Sequence, residues 1–570
     1  MAVFRGILAG TVLFFLFLTV TESLPPVWDE GDSAARADSV LYWVTHIVPG
    51  TTDISPWSEE TLRKYIPNTV SLEGHPAGYI FLIAAGKGFC DTTRLSEILS
   101  EKVSYRFGPI LLSSIALGIV FYRLETGFSL CAALFGTSSI LLFPRIFTHI
   151  QIAFGDSVLI SSWLILWGLF PLLRRNFSGA VIWGTVLGFT ASAKFTGALA
   201  FFPFSTVILF FPRAERRSVL FRLFFPALPA ALITFYLLNP PIWHSPLNGI
   251  AEYIRLNTHR SSYNIAILFL GKIYNLDHSL PWWNPFFWTL TTIPAGLLIS
   301  GLAVLFRFLY GFFFQTRKES FFTRTEIILL ILNWLTLILV RTIPGIPVHD
   351  GIRLFAPAFP FFAILAGLGL TELWSLRNLI FRTAVILILA GSASSLILYF
   401  PQELSYYNLL IGGLPGAVRH GMEATYYWDG LDRELTQFLK TADTEEESSR
   451  PILFSAASGG TLTRLRRQEE IPARLETISR LRDSQDAAEI LTKTPFRYYI
   501  LQNRGGGLTV QDRRLLRQGK PLFFKTAGLR SNGTFSPTRN PWNLRGVPLI
   551  IVYPYSEFLR VCMPAGQENR

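Results

Sequence analysis

The side chains able to do chemistry in this chain gather at the ends of its apolar runs. Asp29, Glu30 and Asp32 fall in "VWDEGD", Glu73 and His75 in "SLEGHPAGY", and His149 and Asp156 in "RIFTHIQIAFGDS". Lys194 falls in "GFTASAKFTGAL", His244 in "NPPIWHSP", and His349, Asp350 and Arg353 in "PVHDGIRLF". A carboxylate such as Asp29 can accept a proton as general base. Basic or hydrogen-bonding groups such as His75, Lys194 and Arg353 can stabilise charge on a departing phosphate. Together they suit one reaction type, in which an acceptor group loses a proton while a phosphate leaves. Each alone has a plainer reading. The acidic stretch fits a solvated loop, Asp156 before "SVLISSW" fits a helix N-cap, and Lys194 between two apolar runs fits a snorkelling lysine. Their meeting on one face carries the chemical reading.

The elements that must position these groups are membrane spans. Half of the 570 residues are hydrophobic and 16% are charged, with a mean hydropathy of +0.37. A soluble chain of this length exposes more charge, so the bilayer is the expected solvent. Runs of spanning length lie near 6–24, 104–122, 127–143, 157–173, 179–193, 196–212, 219–238, 285–309, 325–342, 354–371 and 383–400, about eleven spans. The net charge of +12 comes from Arg and Lys in short clusters between those runs, as loops of a polytopic protein require, and no nucleic-acid footprint accompanies it. With the N-terminus inside, alternate loops carry Arg123, Arg174 and Arg175, then Arg213, Arg216 and Arg217, then Arg317, Lys318 and Arg324, and finally Arg377. This is the positive-inside pattern. The short run 76–89, with Lys87, is read as an interfacial helix, because counting it as a span would reverse every later loop. The first outer loop then covers about 25–102, and Ala37, Val40, Leu41, Val44, Ile47 and Val48 mark an amphipathic helix within it.

The expected fold is an α-helical polytopic membrane module over 1–400 followed by a small extracytoplasmic α/β domain over 401–570. In the tail, "PILFS", "FRYYILQ" and "VPLIIVYPY" alternate with Arg-rich helical stretches. "PWWNPFFW" (281–288) reads as an interfacial aromatic belt, and "TEEESS" as a solvated linker. Cys90, Cys131 and Cys562 form no metal-ligand spacing.

Taken in order, "VWDEGD", "EGHPAGY", "HIQIAFGDSVL", "LGFTASAKFTGAL" and "HDGIRLFAPAFPF" resemble motifs of the glycosyltransferase C (GT-C) superfamily. The closest branch is the protein O-mannosyltransferase-like family 39, itself similar to the aminoarabinose transferases. The resemblance covers roughly 1–430, including "SYYNLLIGGLPGAVRHGMEATYYWDG" (405–430). It implies inverting transfer of a sugar from a polyprenyl-phosphate donor. The expected acceptor is a protein, glycan or lipid, and the scarcity of Lys relative to Arg points to the plasma (inner) membrane of a bacterium. The resemblance implies Asp29 as base, Glu30 as its partner and Asp156 as the second acid. His75 would lie near the donor phosphate, with Lys194 and Arg353 as looser matches for the same duty. Asp32, His244 and Asp350 are candidate donor or acceptor contacts. Gly31, Asp32 and Ser33 depart from relatives, which often place a basic or aromatic residue after the acidic pair; Asp32 leaves metal use open, and no metal or other cofactor is expected.

Two other classes compete. A transporter or lipid flippase should show interrupted helices in corresponding halves or ionisable groups at mid-span, whereas these acids concentrate at one face. A non-catalytic GT-C relative would tolerate loss of Asp29.

Overall fold

A chain in lipid has no water to satisfy its backbone, so apolar runs of this length must close their hydrogen bonds internally as helices. In a computed structural model of the protein, each of the eleven runs is helical. The structure describes residues 1–67, 69–71, 74–259, 265–314, 321–346, 349–442, 450–478, 491, 495–527 and 547–562. Glu73, the Arg317 and Lys318 pair and the "TEEESS" stretch lie outside the described residues.

The bundle begins with α1 (Ala2–Val20). An outer segment follows, made of α2 (Glu30–Tyr42), α3 (Glu59–Tyr65) and α4 (Gly78–Thr92). Next come α5 (Glu101–Gly127), α6 (Leu130–Leu141), the short α7 (Pro144–His149), α8 (Gly155–Arg175) and α9 (Phe177–Ala191). After a 3-10 turn, α10 (Phe201–Ile208) leads to α11 (Arg213–Arg222) and α12 (Leu228–Leu237), which continue each other through a π-turn. Then come α13 (Pro246–Thr258), a hairpin of β1 (Ile267–Phe269) and β2 (Lys272–Tyr274), and α14 (Asn284–Thr292). The last spans are α15 (Ala295–Phe314), α16 (Phe321–Val340), α17 (Phe359–Ser375) and α18 (Leu379–Tyr399). Among the described residues, 6 helices are long and apolar enough to cross a membrane. The central spans α5, α8 and α17 are largely buried, whereas α1 and α18 keep most of their side chains on the bundle surface.

Three details differ from the sequence expectation. The run 285–309 is interrupted between α14 and α15 at Ile293–Pro294, where proline cannot donate to the helix ladder. The amphipathic helix α2 runs on into a π-turn at Trp43–Ile47, closed by the Val48 N–H on the Trp43 carbonyl at 2.9 Å. The wider turn rotates the apolar face, so Trp43 and Ile47 are buried while Val44 and Val48 are exposed. Finally, α4 is not confined to the surface: it packs into the bundle against the first turns of α5. A Cβ at Gly86 would lie 2.4 Å from the Gly108 nitrogen, so only glycine permits that approach.

After α18 the chain crosses back over the bundle end through α19 (Gly413–Arg419) and enters the α/β unit. This holds α20 (Arg433–Ala442), α21 (Gly459–Arg467), α22 (Val510–Gln518) and α23 (Tyr555–Cys562) around one sheet. Its strands are β3 (Ile452–Phe454), β4 (Leu475–Thr477), β5 (Tyr498–Gln502), β6 (Phe523–Thr526) and β7 (Pro548–Pro554). The order is β4-β3-β5-β7-β6, parallel through β4, β3 and β5 and antiparallel from there on. Both faces of β7 are covered, one by Leu435 and Leu462, the other by Leu515 and Phe558, so its "PLIIVY" reads as an unbroken apolar run.

Candidate active site

At the end of the bundle that carries the α/β unit, four separate segments deliver charge to one point and a fifth delivers a tyrosine. Asp29 stands at the N-cap of α2 but makes no capping bond with its side chain. That leaves the carboxylate for Arg353, whose Nη2 donates to Asp29 Oδ2, and for Tyr427, whose hydroxyl donates to the same oxygen at 3.0 Å. Arg353 also donates from Nε to Asp156 Oδ2 at 2.8 Å and from Nη1 to Asp350 Oδ2 at 2.6 Å. Lys194 donates to the other oxygen of Asp156. The guanidinium of Arg353 lies over the rings of Phe154 and Tyr427, at 4.9 and 4.2 Å from their centroids, which favours a cation further. All three of its nitrogens are thus engaged, each with a different carboxylate.

Local sequence explains the convergence. Phe154, not Asp156, occupies the N-cap of α8, so the Asp156 side chain is free to bridge Lys194 and Arg353. A Cβ at Gly155 would lie 2.8 Å from the Ala193 carbonyl, and its absence lets the Lys194 segment pass against the start of α8. Asp350 and Gly351 both adopt left-handed backbone, φ 63° and 57°, turning the chain tightly just before Arg353 opens the 3-10 segment that leads into α17. Burial would raise the Asp350 carboxyl, but Arg504 and Arg353 hold it below its ordinary value. Burial also depresses His349 and His149 to about 3 against the pull of Asp350 and Asp156 respectively, so both imidazoles are neutral. The Tyr427 phenol is pushed well above its usual range by burial and remains a donor.

Within the cluster, Asp29 is the open carboxylate. Its side chain is 23% exposed against 1% for Asp156 and 6% for Asp350. Asp29, Asp156, Lys194, Asp350 and Arg353 therefore meet as a unit. Of the other residues picked from sequence, His349 lies beside the unit, its Nε2 3.9 Å from Asp350 Oδ2. Glu30 turns away from the cluster and forms a buried fork with Arg106, at 2.7 and 2.6 Å, while accepting from the Ala153 and Val27 amides. Asp32 faces α21, where a Cβ at Gly460 would lie 2.7 Å from its Oδ1. His75 sits edge-on to Phe154 at 6.0 Å, one ring removed from Arg353. His244 donates to the Trp57 carbonyl at 2.7 Å, within the outer segment.

Sequence reasoning missed four members of the neighbourhood. Tyr427 and Trp428 lie in the "ATYYWDG" stretch, which the resemblance included without assigning any residue. Trp428 is left-handed, φ 60°, and its ring lies 5.2 Å from that of Trp28 beside the base. Arg504 and Glu423 are both 2% exposed and lie behind Asp350. For Arg504 the available signal was the "RGGG" run, three glycines after a strand, which marks close backbone approach.

No family model matches this sequence, and no curated protein matches it. Among solved structures the chain is similar to ArnT from Cupriavidus metallidurans in the apo state, with 11% identity over 97% of both chains and a TM-score of 0.45. The same enzyme bound to undecaprenyl phosphate gives 11% identity, 96% of this chain, 97% of the other and a TM-score of 0.44. The oligosaccharyltransferase AglB from Archaeoglobus fulgidus, in complex with an inhibitory peptide and a dolichol-phosphate, gives 12% identity, 98% of this chain, 77% of the other and a TM-score of 0.44.

Proposed function

We propose that the protein is an integral membrane glycosyltransferase that moves a sugar from a polyprenyl-phosphate donor to an acceptor hydroxyl, with inversion. The observation that carries this reading is the pairing of an open carboxylate, Asp29, with an arginine that two buried carboxylates hold in place. Asp29 takes the proton of the acceptor hydroxyl as general base. The acceptor oxygen forms its bond to the anomeric carbon as the bond from that carbon to the phosphate oxygen breaks, and the electron pair leaves with the phosphate. Arg353 and Lys194 are the cations nearest to receive that charge. As the phosphate leaves, Arg353 has a second anion to bind and its hold on Asp29 relaxes, which frees the carboxylate for the acceptor hydroxyl. Asp156 acts as the fixed anchor of both cations.

Among the described residues no group of three or more His, Cys, Asp or Glu side chains is arranged to hold a metal ion. The carboxylates of the cluster converge on the Arg353 guanidinium.

The test is transfer by the purified protein in liposomes from a panel of polyprenyl-phosphate sugars, comparing wild type with Asp29→Asn. Wild-type turnover that falls at least about a hundredfold in the variant supports the reading. Equal turnover in both removes Asp29 as base, and no turnover with any donor favours a transporter or a non-catalytic relative.

A further inference from the structure

We infer that Arg504 is a positioning residue for the reaction at Asp29, so that the site is complete only when the C-terminal α/β unit is docked. The inference rests on the functional reading above and adds the unit's part in it.

Arg504 follows β5 and is 2% exposed. Its Nη2 lies 3.0 Å from Asp350 Oδ1 and its Nε 3.7 Å from Glu423. Asp350 commits its other oxygen to Arg353, and Arg353 in turn holds Asp29. Charges therefore alternate along one line, from Arg504 through Asp350 and Arg353 to Asp29. A carboxylate shared between two cations binds each less firmly than it would bind one. Without Arg504, Asp350 would draw Arg353 towards itself, away from Asp29 and from an arriving phosphate.

Backbone conformation supports the same role. Asp350 and Trp428 are both non-glycine residues in left-handed conformation, φ 63° and 60°, which persists only where surroundings over-determine it. Arg504 touches both, pairing with Asp350 and lying 4.6 Å from the Trp428 ring. The glycines beside it are what bring it there. A Cβ at Gly505 would lie 2.5 Å from Leu268 Cδ2, and one at Gly506 would lie 2.5 Å from the Ala266 carbonyl. The Gly506 amide donates to Glu423 Oε1 at 3.0 Å, closing the loop onto the hairpin and the segment before Tyr427.

The experiment uses the full chain in liposomes and compares wild type, Arg504→Met, Arg504→Lys, Arg504→Met with Glu423→Gln, and Arg504→Met with Asp350→Asn. Methionine keeps an apolar stem against Trp428. Adding Glu423→Gln removes the carboxyl that would otherwise be buried without its counter-ion, so this pair stays informative where the single change unfolds. We expect turnover to fall at least about tenfold in Arg504→Met and in the Glu423→Gln pair, with the KM for donor raised. Arg504→Lys recovers part of the loss. Asp350→Asn recovers at least about threefold, because the unshared pull on Arg353 is gone, a recovery that a purely structural arginine would not produce. Folded Arg504→Met with turnover within about twofold of wild type overturns the inference alone, as does a loss that Asp350→Asn leaves unchanged. Absence of turnover in wild type overturns the inference together with the reading it rests on.

Discussion

Asp29 and Glu30 are adjacent carboxylates placed in opposite surroundings, and that difference decides what each can do. Arg106, inside an apolar helix and fully buried, spends its donors on Glu30 and on the carbonyls of Thr21, Leu24 and Pro25. The pair fastens the end of α1 to the start of α2, which is what fixes Asp29 in space. Burial would raise the Glu30 carboxyl, but Arg106 and two backbone amides hold it below its ordinary value. Glu30→Gln therefore leaves a buried guanidinium without its counter-ion, and we expect a loss of about 3 to 5 kcal/mol. Asp29→Asn, at an open position, costs far less. Thermal unfolding in detergent, followed by tryptophan fluorescence, measures both, and equal stability of the two variants would refute the division of roles. The sequence set Asp29 and Glu30 side by side as acids at one boundary, and it did bring Asp156, Lys194 and Arg353 into the same picture. The resemblance named Asp29 as base, but nothing marked Glu30 as a clamp, because Arg106 and Arg504 are remote in the chain and become partners only through the fold.

Among the elements, the apolar runs were legible because hydropathy and length suffice to define a span. What escaped were local departures that neighbours impose: the π-turn after α2, the break at Pro294 and the insertion of α4 through Gly86. The 3-10 turn Glu403–Ser405 after α18 is another, and it carries a testable charge. Glu403 is fully buried and accepts from the Thr148 hydroxyl at 3.0 Å. Burial lifts its carboxyl from 4.5 to about 8, with no facing cation among the causes. The folded chain keeps this proton over a range in which the unfolded chain has lost it, so stability falls as pH rises from about 4.5 to 8 and is flat below that window. We expect Glu403→Gln to remove this slope. At pH 8 the variant should melt higher than wild type by on the order of 5 °C, with the two alike near pH 5. A wild-type advantage at pH 8 would show instead that the turn needs the ionised group.

On the scale of the whole molecule, the two ends of the bundle differ in kind. Away from Asp29, arginines and glutamates pair between helices: Arg5 with Glu125, Arg123 with Glu326, Arg174 with Glu215 and Arg307 with Glu372. Exposed Arg213 and Arg217 stand at the same end, and the positive-inside rule would make such an end cytoplasmic. The Asp29 end instead receives the α/β unit, seated where a Cβ at Gly31 would lie 2.1 Å from the Thr461 amide and where Arg464 pairs with Glu101. The order of spans and a tail of mixed composition were readable from the chain. The docking was not, since Gly31 and Gly460 have meaning only when opposed. We propose that this asymmetry sets sidedness, with the arginine end cytoplasmic. In a chain whose three free cysteines, Cys90, Cys131 and Cys562, are replaced by serine, Arg433→Cys on α20 should react with a membrane-impermeant maleimide in intact cells. Arg213→Cys should react only after permeabilisation. The opposite pattern would put the arginine end outside and require acceptors to reach Asp29 from the cytoplasm; the expected one puts Asp29, Arg353 and Arg504 where an extracytoplasmic acceptor meets the head of a lipid-linked donor.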